Sequence, residues 1–196
     1  MKIAVLVSGG GTNLQALIDA QHRGELDGGE IALVISSQKD AYATQRAKNQ
    51  GIDAITICRR DYESAKAHDH AMREALVSRG IGLVVLAGYL SMVGPLVLRE
   101  FDGCMLNIHP SLIPSFCGKG YYGLKVHEAV LAHGVKVTGA TVHFVNEIYD
   151  DGKIVLQKAV DVLPEDTPEI LQQRVMREAE WVILPQAVAM FCRGEL

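Results

Sequence analysis

With 196 residues, 48% of them hydrophobic and 21% charged, the chain has the length for one well-buried domain and the composition of an ordinary soluble protein. Its formal net charge is −4, with acidic and basic residues interspersed; without a Lys/Arg stripe, nucleic acid is not an expected partner. Cys58, Cys104, Cys117 and Cys192 are far apart and form no C-x-x-C pair, which indicates neither a disulfide framework nor a zinc site, and no segment reaches the ~20 apolar residues of a membrane span.

The first apolar run, residues 3–7, ends in glycines and is too short for a signal peptide, so a cytoplasmic location is expected. That run reads as a buried strand, followed by a helix over residues 13–21 with Leu14, Leu17 and Ile18 on one face. A strand at 31–36 precedes an Ala-rich helix at 41–49, and a strand at 54–57 precedes a long helix over about 64–78. Residues 83–87 form a fourth, nearly all-apolar strand. Continuous apolar strands separated by helices predict a parallel sheet covered on both faces.

The second half changes character. Residues 104–109 read as a strand ending in a Pro-containing loop, and 124–132 as a helix. Strands at 138–146 and 154–162 are joined by the short loop 147–153, which suits a hairpin and therefore an antiparallel element. A long helix starts near Pro168, with Thr167 as its cap, and Pro185 is expected to kink or divide it. No repeat or linker interrupts the chain, so residues 1–196 are expected to form one domain.

Three stretches could carry chemistry. Ser8-Gly9-Gly10-Gly11-Thr12-Asn13 joins the first strand to the first helix, where glycines allow a tight turn and free N–H groups can meet an anion. It lacks the third glycine of a dinucleotide fingerprint and the Gly-Lys-Ser/Thr of a Walker loop. A phosphate-sized site is expected there; the alternative is a turn that needs glycine only for its geometry.

Asn107-Ile108-His109-Pro110 is more specific. Residues two apart on a strand share a face, so Asn107 and His109 project together while Ile108 packs behind them. An amide donor beside an imidazole suits the stabilisation of an oxyanion; the alternative is a strand-end pair satisfied by loop backbone. In Tyr149-Asp150-Asp151-Gly152 an acidic turn is commonly just solvated. If Asp150 meets His109, it favours the imidazolium and raises the histidine pKa. His127 is expected on a helix surface, and His143 in the core or behind the site. Glu178 and Glu180 are expected in solvent unless the last helix folds over the sheet rim. No histidine pair has the spacing of a metal site.

Together, residues 8–15, 85–89, 106–114 and 138–145 and the Asp150/Gly152 turn resemble the phosphoribosylglycinamide formyltransferase family, and the similarity runs from residue 1 to the final helix. The resemblance implies an α/β fold: a Rossmann-like, doubly wound, mostly parallel sheet of about seven strands with one antiparallel strand. It also implies metal-free formyl transfer from 10-formyltetrahydrofolate to glycinamide ribonucleotide in purine biosynthesis. On that basis Gly11, Thr12 and Asn13 would hold the substrate phosphate, and Leu90, Ser91, Met92 and Val93 would line the folate pocket with Asn107. Asn107, His109 and Asp150 would be catalytic, with Asp150 raising the His109 pKa, and Glu180 would touch the substrate amine.

The loop 115–123 is longer than the family's usual form, and its glycines suit a lid. Basic residues for the folate tail are sparse, with Lys66 the one candidate. The competing readings are a formyltetrahydrofolate hydrolase and a non-catalytic nucleotide-binding module; oligomeric state is left open.

Overall fold

Runs of β-branched and aliphatic residues place the central strands inside the protein. The computed structural model describes all 196 residues, Met1–Leu196. Seven strands form one sheet: β1 (Lys2–Val7), β2 (Glu30–Ser36), β3 (Asp53–Thr56), β4 (Leu83–Leu86), β5 (Met105–His109), β6 (Val137–Phe144) and β7 (Ile154–Asp161). Their order is β3-β2-β1-β4-β5-β6-β7. The first five pair parallel, while β6 runs antiparallel to both β5 and β7 and is the one reversed strand, as expected.

Seven helices cover the faces: α1 (Thr12–His22), α2 (Tyr42–Asn49), α3 (Ala65–Val77), α4 (Pro95–Glu100), α5 (Leu124–His133), α6 (Pro168–Val175) and α7 (Trp181–Cys192). Strand alternation divides the core between them. Val5, Val85, Leu106 and Val142 pack with α1, α5, α6 and α7, whereas Leu6, Ile35, Val84 and Met105 pack with α3 and α4. Burying both faces is what requires strands such as Leu83–Leu86 to be apolar throughout. The strand order reverses between β1 and β4, so the segments leaving those two strands flank the crevice where this class of sheet binds ligands.

Two elements differ from expectation. α4 is too short to show helical periodicity in sequence. It is held from outside: buried Asp69 on α3 accepts hydrogen bonds from the Leu96 and Val97 N–H groups at 2.8 and 3.2 Å. A Cβ on Gly94 would lie 2.2 Å from the Asp69 carboxyl carbon, so glycine is what lets the carboxylate approach. The last helix starts as expected, with Thr167 accepting from the Ile170 N–H. Its break, however, is a π-helical turn at Met176–Glu180, and Pro185 sits inside α7. Pro185 has no N–H for the Trp181 carbonyl, and the wide turn lies immediately upstream of that gap.

Replacing Asp69 with Ala leaves two buried-end N–H groups of α4 without an acceptor. The Asp69→Ala variant is expected to lose about 1–3 kcal/mol of stability in urea unfolding; an unchanged midpoint and slope would show that α4 holds without this cap.

Candidate active site

The glycine loop ends at Gly11, which caps α1 in the left-handed region (φ 71°) with no side-chain cap of its own. A Cβ there would lie 2.6 Å from the Ala43 Cβ, so both conformation and space demand glycine. The first-turn N–H groups beyond it, from Thr12 onward, are therefore left for a ligand, at the positive end of the helix dipole. Behind the loop, Arg46 on α2 donates to the Gly10 carbonyl (2.8 Å) and to Gln15 Oε1 (3.1 Å), adding a fixed positive charge.

Asn13 is buried and donates through Nδ2 to Glu180 Oε2 at 2.6 Å. Glu180 is itself only 4% exposed, which overturns the solvated reading; Glu178 remains exposed. Residues two apart on a helix face opposite sides, and here the inward side carries Ala179 and Glu180 while Glu178 faces out. Burial pushes the Glu180 carboxyl up to about 7, against the opposing Asn13 hydrogen bond. Glu180 thus stands with the glycine loop.

At the end of β5 the expected pair does share a face. The antiparallel register sets Asn107 opposite His143 and His109 opposite Thr141. His143 Nδ1 donates to the Phe144 carbonyl at 2.8 Å; in a neutral ring Nε2 then accepts from Asn107 Nδ2 at 3.0 Å, and in a protonated ring its N–H faces Asp150 Oδ1 at 3.6 Å. The second Asn107 N–H has only a 3.5 Å contact with Asp150 Oδ1. His109 Nε2 lies 2.9 Å from the Phe116 carbonyl, and its Nδ1 lies 3.6 Å from Asp150 Oδ2. Both nitrogens therefore face acceptors, an arrangement that only the imidazolium satisfies fully.

Asp150, and not exposed Asp151, is the residue that reaches His109. It sits in the turn at φ 53° and accepts the Gly118 N–H at 2.7 Å. A Cβ on Gly152 would lie 1.7 Å from the Phe144 carbonyl oxygen, so the turn closes this tightly only with glycine. Burial acts to raise the Asp150 carboxyl, but contact with His143, the charge of His109 and the Gly118 N–H hold it below its ordinary value. For His109 the balance falls the other way. Burial lowers its pKa more than Asp150 raises it, so the expected pull from Asp150 is present but the group lies below the ordinary histidine value.

Two cavities meet here. One, of about 520 Å³, is lined by Gly11, Thr12 and Asn13 at one end and Asn107, His109 and Asp150 at the other, with Glu180 on its wall. The second, of about 380 Å³, is walled by Leu86, Val93, Pro95, Leu98, Val145 and Ile148, and it too contains Asn107 and Asp150. Met92 and Val93 line this apolar cavity, and Ser91 lines both. Leu90 lines only the larger one, because its N–H is tied to Ser8 Oγ (2.8 Å) at the end of β1. An open depression of about 690 Å³ on the far side of the glycine loop contains none of Asn107, His109 or Asp150.

Sequence reasoning missed the loop residues Phe116 and Gly118, whose backbone holds His109 and Asp150, because backbone contacts leave no residue-type signal. His127 is not on the helix surface as expected. It is fully buried on the inward side of α5, where its neighbours Val126 and Val130 are also buried.

The raised Glu180 pKa has a sign that can be tested. An unfolded chain releases this proton near 4.5, whereas the folded one keeps it to about 7. Its contribution to stability is therefore full below 4.5 and is lost as pH rises through about 7. Glu180→Gln should flatten the pH dependence of stability across that window in denaturant titrations, and a slope equal to that of the unmodified protein would refute the burial effect.

Residues 1–188 match the family model described as Formyl transferase. The chain is 43% identical over 195 residues to the phosphoribosylglycinamide formyltransferase of Haemophilus influenzae, covering all of this chain and 89% of that protein. It is 42% identical to the trifunctional purine biosynthetic protein adenosine-3 of Bos taurus over 98% of this chain and 18% of that longer protein. The crystal structure of glycinamide ribonucleotide transformylase 1 from Symbiobacterium toebii superposes with a TM-score of 0.92 at 45% identity, covering 99% of this chain and 88% of that one. With a matching model over nearly its whole length and relatives of this identity, the chain belongs to the formyl transferase family.

Proposed function

We propose that residues 1–196 act as one domain that transfers the formyl group of 10-formyltetrahydrofolate to the amine of glycinamide ribonucleotide, in purine biosynthesis and in the cytoplasm. The observation that carries this reading is the meeting of two cavities at Asn107 and Asp150. One has an anion-binding helix end at its far side and the other has apolar walls, so each suits one of two dissimilar substrates.

In this reading the N–H groups of Gly11, Thr12 and Asn13 hold the ribonucleotide phosphate. Glu180 offers its carboxyl to polar groups of the same nucleotide, the amine among them. Met92, Val93 and Ser91 line the flat pterin ring's pocket, with Leu90 at the seam between the two cavities. The folate supplies the formyl carbon and a leaving nitrogen, N10. As the amine attacks that carbon, the carbonyl electron pair moves to oxygen, where the His109 Nδ1–H and the second Asn107 N–H, each held only loosely by Asp150 at 3.6 and 3.5 Å, donate to it. Asp150 holds His109 by charge, and His143 fixes the Asn107 amide plane. A proton then leaves the attacking nitrogen, one reaches N10, and the carbon–N10 bond breaks. No metal ion takes part in this scheme.

General acid help of this kind contributes about 10²–10⁴ in rate, and one oxyanion donor about 10²–10³. His109→Ala and Asn107→Ala are each expected to reduce kcat on that scale while circular dichroism shows an intact fold. The assay compares glycinamide ribonucleotide with water as formyl acceptor; transfer to water alone would replace this reading with a hydrolase, and ribonucleotide binding without turnover would replace it with a binding module. Because the working His109 is protonated, kcat should fall as pH rises through its pKa. Asp150 pulls that pKa up, so Asp150→Asn should move the falling limb to lower pH, and an unmoved limb would separate Asp150 from His109 protonation.

A further inference from the structure

α5 turns into the larger cleft a histidine that the scheme above does not use. His127 is 0% exposed, yet neither of its ring nitrogens has a hydrogen-bond partner among the protein's atoms. The residue lines the 520 Å³ cavity together with His109, Gln172, Met176 and Glu180. Buried polar groups are nearly always paired, since lost hydration is otherwise uncompensated. Here the protein surrounds an imidazole without supplying either partner, in a cavity shaped for a ligand.

The chemistry of the ring narrows what that ligand presents. Burial, and then the nearby charge of His109, push the His127 pKa down to about 4, so the ring is neutral near pH 7. A neutral imidazole has one N–H and one lone pair. It has no charge to attract a phosphate, and the glycine loop already provides for that group. A carboxylate could only accept and an ammonium could only donate. A hydroxyl does both, so it pairs with either nitrogen in either tautomer.

We propose that His127 is a positioning residue that holds a hydroxyl oxygen in the nucleotide half of the cleft, either a sugar hydroxyl of the substrate or a water fixed against it. This rests on the ribonucleotide reading given above. His127 would orient the nucleotide without touching the reacting atoms. Its loss is therefore felt in ribonucleotide binding and not in binding of the formyl donor.

The test uses the full chain with His127→Leu, which removes both nitrogens, and His127→Asn, which keeps a donor and an acceptor. His127→Leu is expected to raise KM for glycinamide ribonucleotide about tenfold, to leave KM for 10-formyltetrahydrofolate within about twofold, and to be largely rescued in His127→Asn. Ring-nitrogen NMR of unmodified protein gives a readout independent of how the variants fold. The His127 resonance should shift when glycinamide ribonucleotide is added, even with no folate present. A silent resonance, or a Leu variant with both KM values unchanged, overturns the proposal.

Substrates lacking one ribose hydroxyl distinguish the two sources. If their penalty disappears in His127→Leu, the hydroxyl belongs to the sugar; if the penalties add, it belongs to water. Unmodified protein that neither binds nor formylates the ribonucleotide would instead fail the underlying functional reading, and that control is read first.

Discussion

The pairing of β5 with a reversed β6 is the constraint on which the site depends. Reversal places His143 directly across from Asn107 and sends the chain from β6 straight into the turn that carries Asp150. One register thus brings together four groups from three segments: Asn107 and His109 from β5, His143 from β6, and Asp150 from the turn. Cross-strand neighbours on one face lie about 4.5–5.5 Å apart, a spacing that an amide and an imidazole bridge with one hydrogen bond. A one-residue slip would put His143 on the opposite face and dissolve the cluster.

Electrostatics at His109 is a contest in which burial is the larger effect. The residue is 5% exposed, and taking a cation out of water costs more than one carboxylate at 3.6 Å returns. The Phe116 carbonyl and Asp150 nevertheless face both nitrogens and wait for the imidazolium. A developing oxyanion in the cleft adds the missing negative charge at the moment of reaction, so the protonated ring is stabilised most in the transition state. That differential is what accelerates a reaction; a histidine already satisfied in the resting enzyme would gain less.

Most of the sheet is legible in the sequence because burial on both faces leaves no choice of residue type: residues 3–7, 31–36 and 83–87 announce themselves. The Asn107/His109 pair is legible too, since a two-residue period needs no tertiary information. Asp150 is not, because a turn aspartate looks the same whether it meets water or an imidazole, and only the family resemblance singled it out. Glu180 is not legible because a glutamate near Arg177 and Glu178 looks solvated until it is known which side of the last helix meets the cleft. α4 escaped because a six-residue helix held by a distant carboxylate has no period to detect, and His127 because a helix with apolar residues on adjacent positions does not reveal which flank is buried.

The two ends of the larger cleft use opposite strategies with the same low-dielectric interior. At the glycine loop the protein presents N–H groups and Arg46, with positive potential and little to reorganise, which suits a group that remains charged throughout. There Glu180 is held by Asn13 with its carboxyl raised to about 7, so at neutral pH it moves between donor-bearing and acceptor-only forms without a large penalty. At the β5 end the groups are poised below full protonation and respond to charge that appears only during transfer. A fixed anion site far from the reacting carbon anchors the nucleotide, and binding energy gathered there can be spent on orienting the amine. The separation of permanent from transient charge explains why the chain places glycines and an arginine at one end of the cleft and His109 with Asp150 at the other.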